Sequence, residues 1–404
     1  MNIKETTRKY VMDTYGRFDL VLARGSGCIL YDDAGKGYID FASGIAVNDL
    51  GYNNGLINEA IISQAKKLIH VSNYFYTEPQ ALLAEKLCKN SFADKVFFCN
   101  SGAESIEGAI KLARIYSQKI SKRGHKIIAM QNSFHGRTFG ALSATGQSKY
   151  HKGFEPLLDG FAHVKFNDFE AVNEAIEGAE GKDYCAVIVE PVQGEGGVNL
   201  ADKNYLKRLR ELTAKNDVLL IFDEVQAGLG RTGKLFAYMN FDVEPDIMTL
   251  AKPLAGGLPM GAVLAKDGVA KAFEPGSHAS TFGGGPLVAA AANAFFDEIS
   301  KEGFLEEVCK TGEYMKSKLD GLKAGFAGLI KDVRSIGLIS AIEFYSIKAK
   351  DAAVELIGEG FLTTAVQENI LRFTPPLIIK KNDIDLFAEA VAKVLAKKEK
   401  NEPR

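Results

Sequence analysis

The stretch Ile247-Met-Thr-Leu-Ala-Lys-Pro-Leu-Ala-Gly-Gly257 sets a strand-like apolar run against an abrupt stop. The run ends on a single lysine, Lys252, and breaks at once into proline and glycine. A lysine there leaves a buried element and points into a loop, where burial disfavours its charged form and lowers its pKa. A partly desolvated lysine is a nucleophile toward carbonyls and forms Schiff bases. The plainer reading is a strand-end lysine whose ammonium reaches water along its own stem. The stretch alone favours the plainer reading, and the rest of the chain has to decide.

Runs of the same kind recur at Lys95-Val-Phe-Phe-Cys99, Lys126-Ile-Ile-Ala-Met130, Ala162-His-Val-Lys-Phe166, Ala186-Val-Ile-Val189, Val218-Leu-Leu-Ile-Phe222 and Gly261-Ala-Val-Leu-Ala265. Most are separated by helix-length segments. Seven buried strands with helical crossovers predict an α/β fold with a largely parallel sheet. The short glycine-rich loop before Gly261 permits one antiparallel partner. Residues 1 to about 50 read as short strands and turns, with a hairpin of Cys28–Tyr31 and Tyr38–Phe41 around Asp32–Gly37. Residues 55 to 90 read as helices around an aromatic loop, Ser72-Asn-Tyr-Phe-Tyr-Thr-Glu-Pro79. After about residue 290 come long helices, then Gly337-Leu-Ile-Ser-Ala-Ile-Glu-Phe344 and Ile370-Leu-Arg-Phe-Thr-Pro-Pro376, a second α+β layer expected to pack with the N-terminal hairpin. The expected organisation is a large domain over 50–290 and a small one built from both chain ends, 1–49 and 291–404. The tail Lys397–Arg404 reads as a solvated charge run.

The chain has 404 residues, 46% of them apolar and 25% charged, an ordinary globular balance. A formal net charge of -2 offers no basic footprint for nucleic acid. The five cysteines, Cys28, Cys88, Cys99, Cys185 and Cys309, are scattered and form no Cys-x-x-Cys pair. That pattern suggests reduced thiols in a cytoplasmic protein, with neither a disulfide framework nor a zinc site. The N-terminus lacks the apolar core of a signal peptide, and no apolar run approaches the roughly 20 residues a membrane helix needs.

In open α/β sheets ligands gather beyond the carboxyl ends of the strands. After the first strand stands Asn100-Ser-Gly-Ala-Glu104, opening a helix. Ser101 and Glu104 have the spacing of a capping box, and the free amides of the same helix start can seat a phosphate. After the second comes Asn132-Ser-Phe-His-Gly-Arg-Thr138, either a polar loop or an aromatic face, Phe134, for a flat ring, with Arg137 to grip a carboxylate bidentately. His135 reads as a hydrogen-bonding or packing residue. Glu190-Pro-Val-Gln-Gly-Glu-Gly-Gly197 follows the fourth strand and is compatible with simple solvated loop charges. Asp223-Glu-Val-Gln226 follows the fifth, where a buried carboxylate needs a partner; a protonated ring nitrogen is one. Gly228-Leu-Gly-Arg-Thr-Gly233 matches a dinucleotide fingerprint and nearly a phosphate-binding P-loop. Both readings are rejected, because Asp223 and Glu224 would repel a pyrophosphate and the preceding strand is not the first of a βαβ unit. Ser280-Thr-Phe-Gly-Gly-Gly285 is a turn or a pair of hydroxyls for a phosphate. The guanidinium of Arg372, set among apolar residues, must find an anion.

These motifs together, in this order and over essentially the whole chain, resemble the class III (ω-amino acid) pyridoxal-phosphate aminotransferases. The resemblance implies fold type I, as in aspartate aminotransferase, and pyridoxal 5′-phosphate as cofactor. It implies that Lys252 holds the cofactor covalently and then shuttles a proton. Asp223 keeps the pyridine nitrogen protonated, making the ring an electron sink. By the same resemblance Gln226 contacts the phenolic oxygen, Phe134 stacks on the ring, and His135 and Val225 complete its surroundings. Ser101, Gly102 and Ala103 take the phosphate, and Thr281 reaches the phosphate held by a neighbouring subunit, which implies a homodimer with shared sites. Arg137 resembles the residue that binds the α-carboxylate of N2-acetylornithine, and Arg372 the one that binds glutamate or 2-oxoglutarate. Glu195 masks Arg372 while the ω-amino substrate is bound; Ser280 and Tyr15 line the same pocket. The implied reaction moves a δ-amino group from acetylornithine to 2-oxoglutarate by a reversible ping-pong route through pyridoxamine phosphate, as in arginine synthesis. Succinyldiaminopimelate, ornithine and 4-aminobutyrate are the alternative amino donors, and Ile45, at a position aromatic in ornithine aminotransferases, disfavours free ornithine. A nicotinamide dehydrogenase built on Gly228–Gly233 is the rival from another class.

Overall fold

The computed structural model describes residues 2–401. The chain begins with a helix, Ile3–Tyr10, where the sequence reading expected strands and turns. Asn2 caps it by accepting from the Glu5 amide, and Arg8 and Lys9 sit in its last turn, where cations suit the helix dipole. Strands β1 (Leu22–Ser26), β2 (Ile29–Asp32) and β3 (Gly37–Asp40) then form an antiparallel meander that contains the expected hairpin.

The seven expected runs become β4 (Lys95–Cys99), β5 (Lys126–Met130), β6 (Phe161–Val164), β7 (Tyr184–Val189), β8 (Leu219–Asp223), β9 (Ile247–Leu250) and β10 (Gly261–Ala265). They make one sheet in the order β4-β10-β9-β8-β7-β5-β6. The pairings β9–β8, β8–β7, β7–β5 and β5–β6 are parallel, and β10 runs antiparallel to both its neighbours. The continuous apolar runs follow from burial on both faces. Leu220 and Phe222 of β8 join the core that holds Phe295 and Phe296, while Leu219 and Ile221 pack with Ile106 and Ala109 of the helix Gly102–Tyr116. Fully burying a leucine, isoleucine or phenylalanine side chain in this way contributes roughly 1.5–3 kcal/mol.

Beyond residue 300 the helix Phe304–Gly325 leads into β11 (Ile330–Ile336), β12 (Ile339–Phe344), β13 (Phe361–Leu362), β14 (Thr364–Ala365) and β15 (Ile370–Phe373). A second sheet has the order β11-β12-β15-β14, whereas β13 pairs in parallel with β3 and so joins the N-terminal meander. The helix Lys381–Asn401 covers this layer through Phe387, which stacks on Phe41 at 3.9 Å between ring centroids. The charged tail is therefore helical as far as Asn401, with Lys397 and Lys398 paired to Glu359 and Glu355; residues 402–404 of that reading lie outside the described residues. Among the described residues no helix is long and apolar enough to cross a membrane.

Candidate active site

The carboxyl ends of β4, β5, β7, β8 and β9 converge on a cavity of about 390 Å³. Lys252 lies on its wall, two residues beyond β9, at the start of a short 3₁₀ turn, Lys252–Leu254. Its φ of +36° places a lysine in the left-handed region, a conformation costing of order 1–3 kcal/mol. Burial pushes its amine below the ordinary lysine value; the carboxylates of Glu195, Asp223 and Glu190 oppose that change, and the Arg372 charge adds to it.

Asp223, the last residue of β8, is 5% exposed. Its Oδ2 accepts from His135 Nδ1 at 2.7 Å, and Oδ1 from the Val225 amide at 3.0 Å and Thr249 Oγ1 at 3.3 Å. His135 thus acts as the hydrogen-bonding residue the sequence suggested. Its Nε2 is buried without a partner among the described residues, at a position on the cavity wall.

The helix Gly102–Tyr116 starts on the cavity. Ser101 Oγ accepts from the Glu104 amide at 3.1 Å, half of the expected capping box. The Glu104 carboxylate reaches one residue further back, to the Asn100 amide at 2.8 Å. The Gly102 and Ala103 amides are left without a partner among the described residues, at the positive end of a helix and on the cavity wall. A Cβ on Gly102 would stand 2.7 Å from Val225 Cγ1, so the approach requires glycine.

Two arginines stand at the cavity in different states: Arg137 lines it, and Arg372 lies behind the lining residues Glu195 and Gln226. Arg372, on β15, is 1% exposed, and its Nη1 donates to Glu195 Oε1 at 2.7 Å and Gln226 Oε1 at 2.9 Å. Arg137 is exposed, forms no ion pair among the described residues, and lies with Cζ 4.1 Å from the Tyr150 ring centroid. Tyr150 also meets Phe134 edge to face, at 5.6 Å and 77°. Burial alone would raise the Glu195 carboxyl; the Arg372 charge and hydrogen bond outweigh it and hold Glu195 below its ordinary value.

The sequence reading missed Glu190 and Tyr150. Glu190 is 5% exposed, lines the cavity and accepts from the Phe134 amide at 3.0 Å, so it is no solvated loop charge. Burial and the neighbouring charge of Asp223 push it well above the ordinary carboxyl value. Its signal was the one used for Asp223, a carboxylate directly behind an apolar run. Nothing in the sequence points to Tyr150. Ser280 stands near the rim, its hydroxyl accepting from Asn100 Nδ2 at 3.1 Å, and Thr281 is exposed beside it. Tyr15 is 68% exposed, lies outside the cavity lining and contacts Arg17, so the structure does not bring it to the site. The Gly228–Gly233 loop is structural: buried Arg231 pairs with Asp49 and donates to the Leu338 and Pro375 carbonyls.

Comparison with known proteins agrees with this arrangement. The family described as Aminotransferase class-III matches residues 10–395. The acetylornithine aminotransferase of Caldanaerobacter subterraneus subsp. tengcongensis is 49% identical over 390 residues, covering 96% of this chain and 98% of that protein. The crystal structure of ornithine aminotransferase from Toxoplasma gondii superposes with a TM-score of 0.94 at 31% identity, covering 99% of this chain and 95% of that one. Acetylornithine aminotransferase from Elizabethkingia anophelis gives 0.87 at 34%, covering 98% of each. The fold is the fold type I expected, and the dehydrogenase reading has no support. A lysine and an aspartate at adjacent strand ends, facing a helix start with free amides, sit in a chain matched over nearly its full length: this protein belongs to the class-III aminotransferases.

Proposed function

We propose that this chain is an acetylornithine aminotransferase, moving the δ-amino group of N2-acetylornithine to 2-oxoglutarate in two reversible half-reactions that share one pocket. The observation that carries the reading is the pair of unlike arginines, Arg137 open and Arg372 closed by Glu195. An open cation suits the single α-carboxylate of the amino donor. A cation closed by a removable carboxylate suits the second carboxylate of glutamate or 2-oxoglutarate, which displaces Glu195. The names and near-complete coverage of the relatives support the same substrate.

Pyridoxal 5′-phosphate fits the residues present. Two unpartnered amides, Gly102 and Ala103, with the Ser101 hydroxyl, would hold the phosphate. Asp223, fixed by His135 and Thr249, would hold a proton on the ring nitrogen. Phe134, Val225 and Gln226, all on the cavity wall, would surround the ring. The bound cofactor supplies a carbonyl carbon that accepts and returns the amino group, and a ring that takes up electrons. The chain's own part is positioning and proton transfer. Lys252 Nζ, held toward its neutral form by burial, would hold the cofactor and move a proton to and from the carbon bearing the migrating nitrogen. Val47, Leu258 and Met260 give the cavity an apolar wall that limits the access of water.

The reading includes a homodimer in the cytoplasm. The exposed aromatic loop Tyr74–Tyr76 and exposed Phe282 flank Thr281, and Asn73 Nδ2 ties that loop to the Ser280 and Gly283 carbonyls at 3.0 Å each. Such an apolar patch supports a second copy bringing its Thr281 to the phosphate. It also includes a large domain over 50–290 and a small one from 1–49 and 291–404, supported by the pairing of β13 with β3.

The test is the visible absorption of the purified enzyme mixed in turn with N-acetylornithine, ornithine, 4-aminobutyrate, succinyldiaminopimelate and glutamate. The cofactor band is expected to fade fastest with acetylornithine among the ω-amines, and to fade with glutamate. A faster response to any other ω-amine would replace acetylornithine as the donor.

A further inference from the structure

The loop from β5 to the helix Phe139–Ala144 carries Phe134, His135 and Arg137, and it is pinned on both sides of Arg137. The Phe134 amide is held by Glu190 and the His135 amide by Thr145 Oγ1 at 2.9 Å. Gly136 passes between Ala103 and Ala141, where an added Cβ would stand 2.9 Å from each methyl, at φ +139°. On the other side, Glu107 Oε1 accepts from Thr138 Oγ1 at 2.6 Å, the Gly140 amide at 2.9 Å and the Ala141 amide at 3.1 Å. Thr138 is the N-cap residue of that helix but makes no side-chain cap of its own. The cap comes from a carboxylate on the neighbouring helix, where it also meets the positive end of the capped one.

We propose that Glu107 is a positioning residue for substrate recognition, fixing Arg137 at the distance from the cofactor's seat that the amino donor's carboxylate requires. This rests on the reading of Arg137 as the carboxylate-binding residue. Glu107 lies outside the cavity lining and touches no reacting atom. It stands on the helix Gly102–Tyr116, whose first two amides face the cavity, so one carboxylate ties the anionic end of the cofactor site to the loop that bears Arg137. Among the described residues the Arg137 guanidinium makes no hydrogen bond or ion pair and lies over aromatic rings, Tyr150 at 4.1 Å and Phe134 at 5.5 Å. Its placement therefore comes from the backbone that Gly136 and Glu107 hold.

The experiment compares holoenzymes of wild type, Glu107→Ala, Glu107→Gln, Thr138→Val and Arg137→Ala with two donors, N-acetylornithine and its decarboxylated analogue N-acetylputrescine. Glu107→Ala is expected to raise KM for acetylornithine about tenfold, with kcat and the analogue's KM nearly unchanged, because misplacement of order 1 Å has effects of this size or larger. Glu107→Gln keeps a carbonyl oxygen for the three donors and restores most of the loss; Thr138→Val, which removes one of the three bonds, shifts KM the same way by less. Equal shifts for both donors, a loss in kcat alone or no change in Glu107→Ala would overturn the proposal. Should Glu107→Ala fail to fold, Thr138→Val decides by the same KM split. If Arg137→Ala itself fails to separate the two donors, the reading of Arg137 falls, and this proposal with it.

Discussion

Arg372 Nη1 stands 2.7 Å from Glu195 Oε1 and 2.9 Å from Gln226 Oε1, so this buried guanidinium is already paired within the protein. Glu195 remains ionised because its value lies below the ordinary one, Arg372 outweighing the effect of burial. Glu195→Gln removes the charge and keeps the shape. Arg372 then favours a substrate carboxylate, and kcat/KM for glutamate is expected to rise relative to acetylornithine by about tenfold or more, the equivalent of 1.4 kcal/mol. The ratio of the two half-reaction rates, read from the cofactor band, checks this. An unchanged ratio would remove Glu195 from substrate selection.

Lys252 places a function and a stability cost on one residue. Its folded-state value is below the unfolded one, so between the two values the unfolded chain binds more protons and stability rises with pH. Below that window the cost of burying the charged amine is fully present, about 1.4 kcal/mol for each tenfold loss of proton affinity. Cofactor-free Lys252→Met is therefore expected to melt higher than cofactor-free wild type at pH 7, with the gap narrowing toward pH ~10, the unfolded lysine value. The same variant loses transamination and the spectral response to amines. Parallel melting profiles across pH would contradict a lowered value for this amine.

Gly194 packs directly against the Gln226 side chain: a Cβ there would lie 1.7 Å from Gln226 Oε1. Gly194→Ala must drive Gln226 off Arg372, and kcat/KM is expected to fall roughly 10- to 100-fold in both half-reactions. The decisive comparison is a double-mutant cycle. In a Gln226→Ala background the clash is gone, so Gly194→Ala should cost several-fold less there. Additive losses would mean that Gly194 acts through another contact.

What the sequence made legible follows from the sheet. Strands in the middle of the sheet are buried on both faces and read as continuous apolar runs, so the sheet could be counted to seven strands and the residues at their carboxyl ends named. β11 was not legible, because Ile330-Lys-Asp-Val-Arg-Ser-Ile336 is only partly buried and carries charges through its length. The pairing of Arg372 with Glu195 spans 177 residues and was named only through resemblance to a family. The Glu107 cap and the stacking of Tyr150 under Arg137 join segments that no local pattern connects. Glu190 carried the right signal and was discounted because glycines follow it, although a carboxylate behind a buried strand is itself buried.

The Gly228–Gly233 loop, which imitates a dinucleotide fingerprint, is held by its own arginine. Arg231, fully buried, pairs with Asp49 and donates to the carbonyls of Leu338 at 2.8 Å and Pro375 at 2.6 Å. One guanidinium thus joins the segment after the N-terminal meander, the Gly228–Gly233 loop, the turn between β11 and β12, and the segment after β15. Arg231→Met would leave Asp49 buried without its cation and two carbonyls without donors, a loss of about 3–5 kcal/mol. Burial already raises the Asp49 carboxyl against the pull of Arg231, and without the arginine it rises further. Between the unfolded and folded values the folded state then binds more protons, so stability falls as pH rises. The melting-temperature deficit of Arg231→Met should accordingly be smaller at pH 5 than at pH 8, and Asp49→Asn added to it should recover part of the deficit at pH 8 only. A deficit independent of pH would mean that the lost carbonyl hydrogen bonds, and not the stranded carboxylate, dominate the loss.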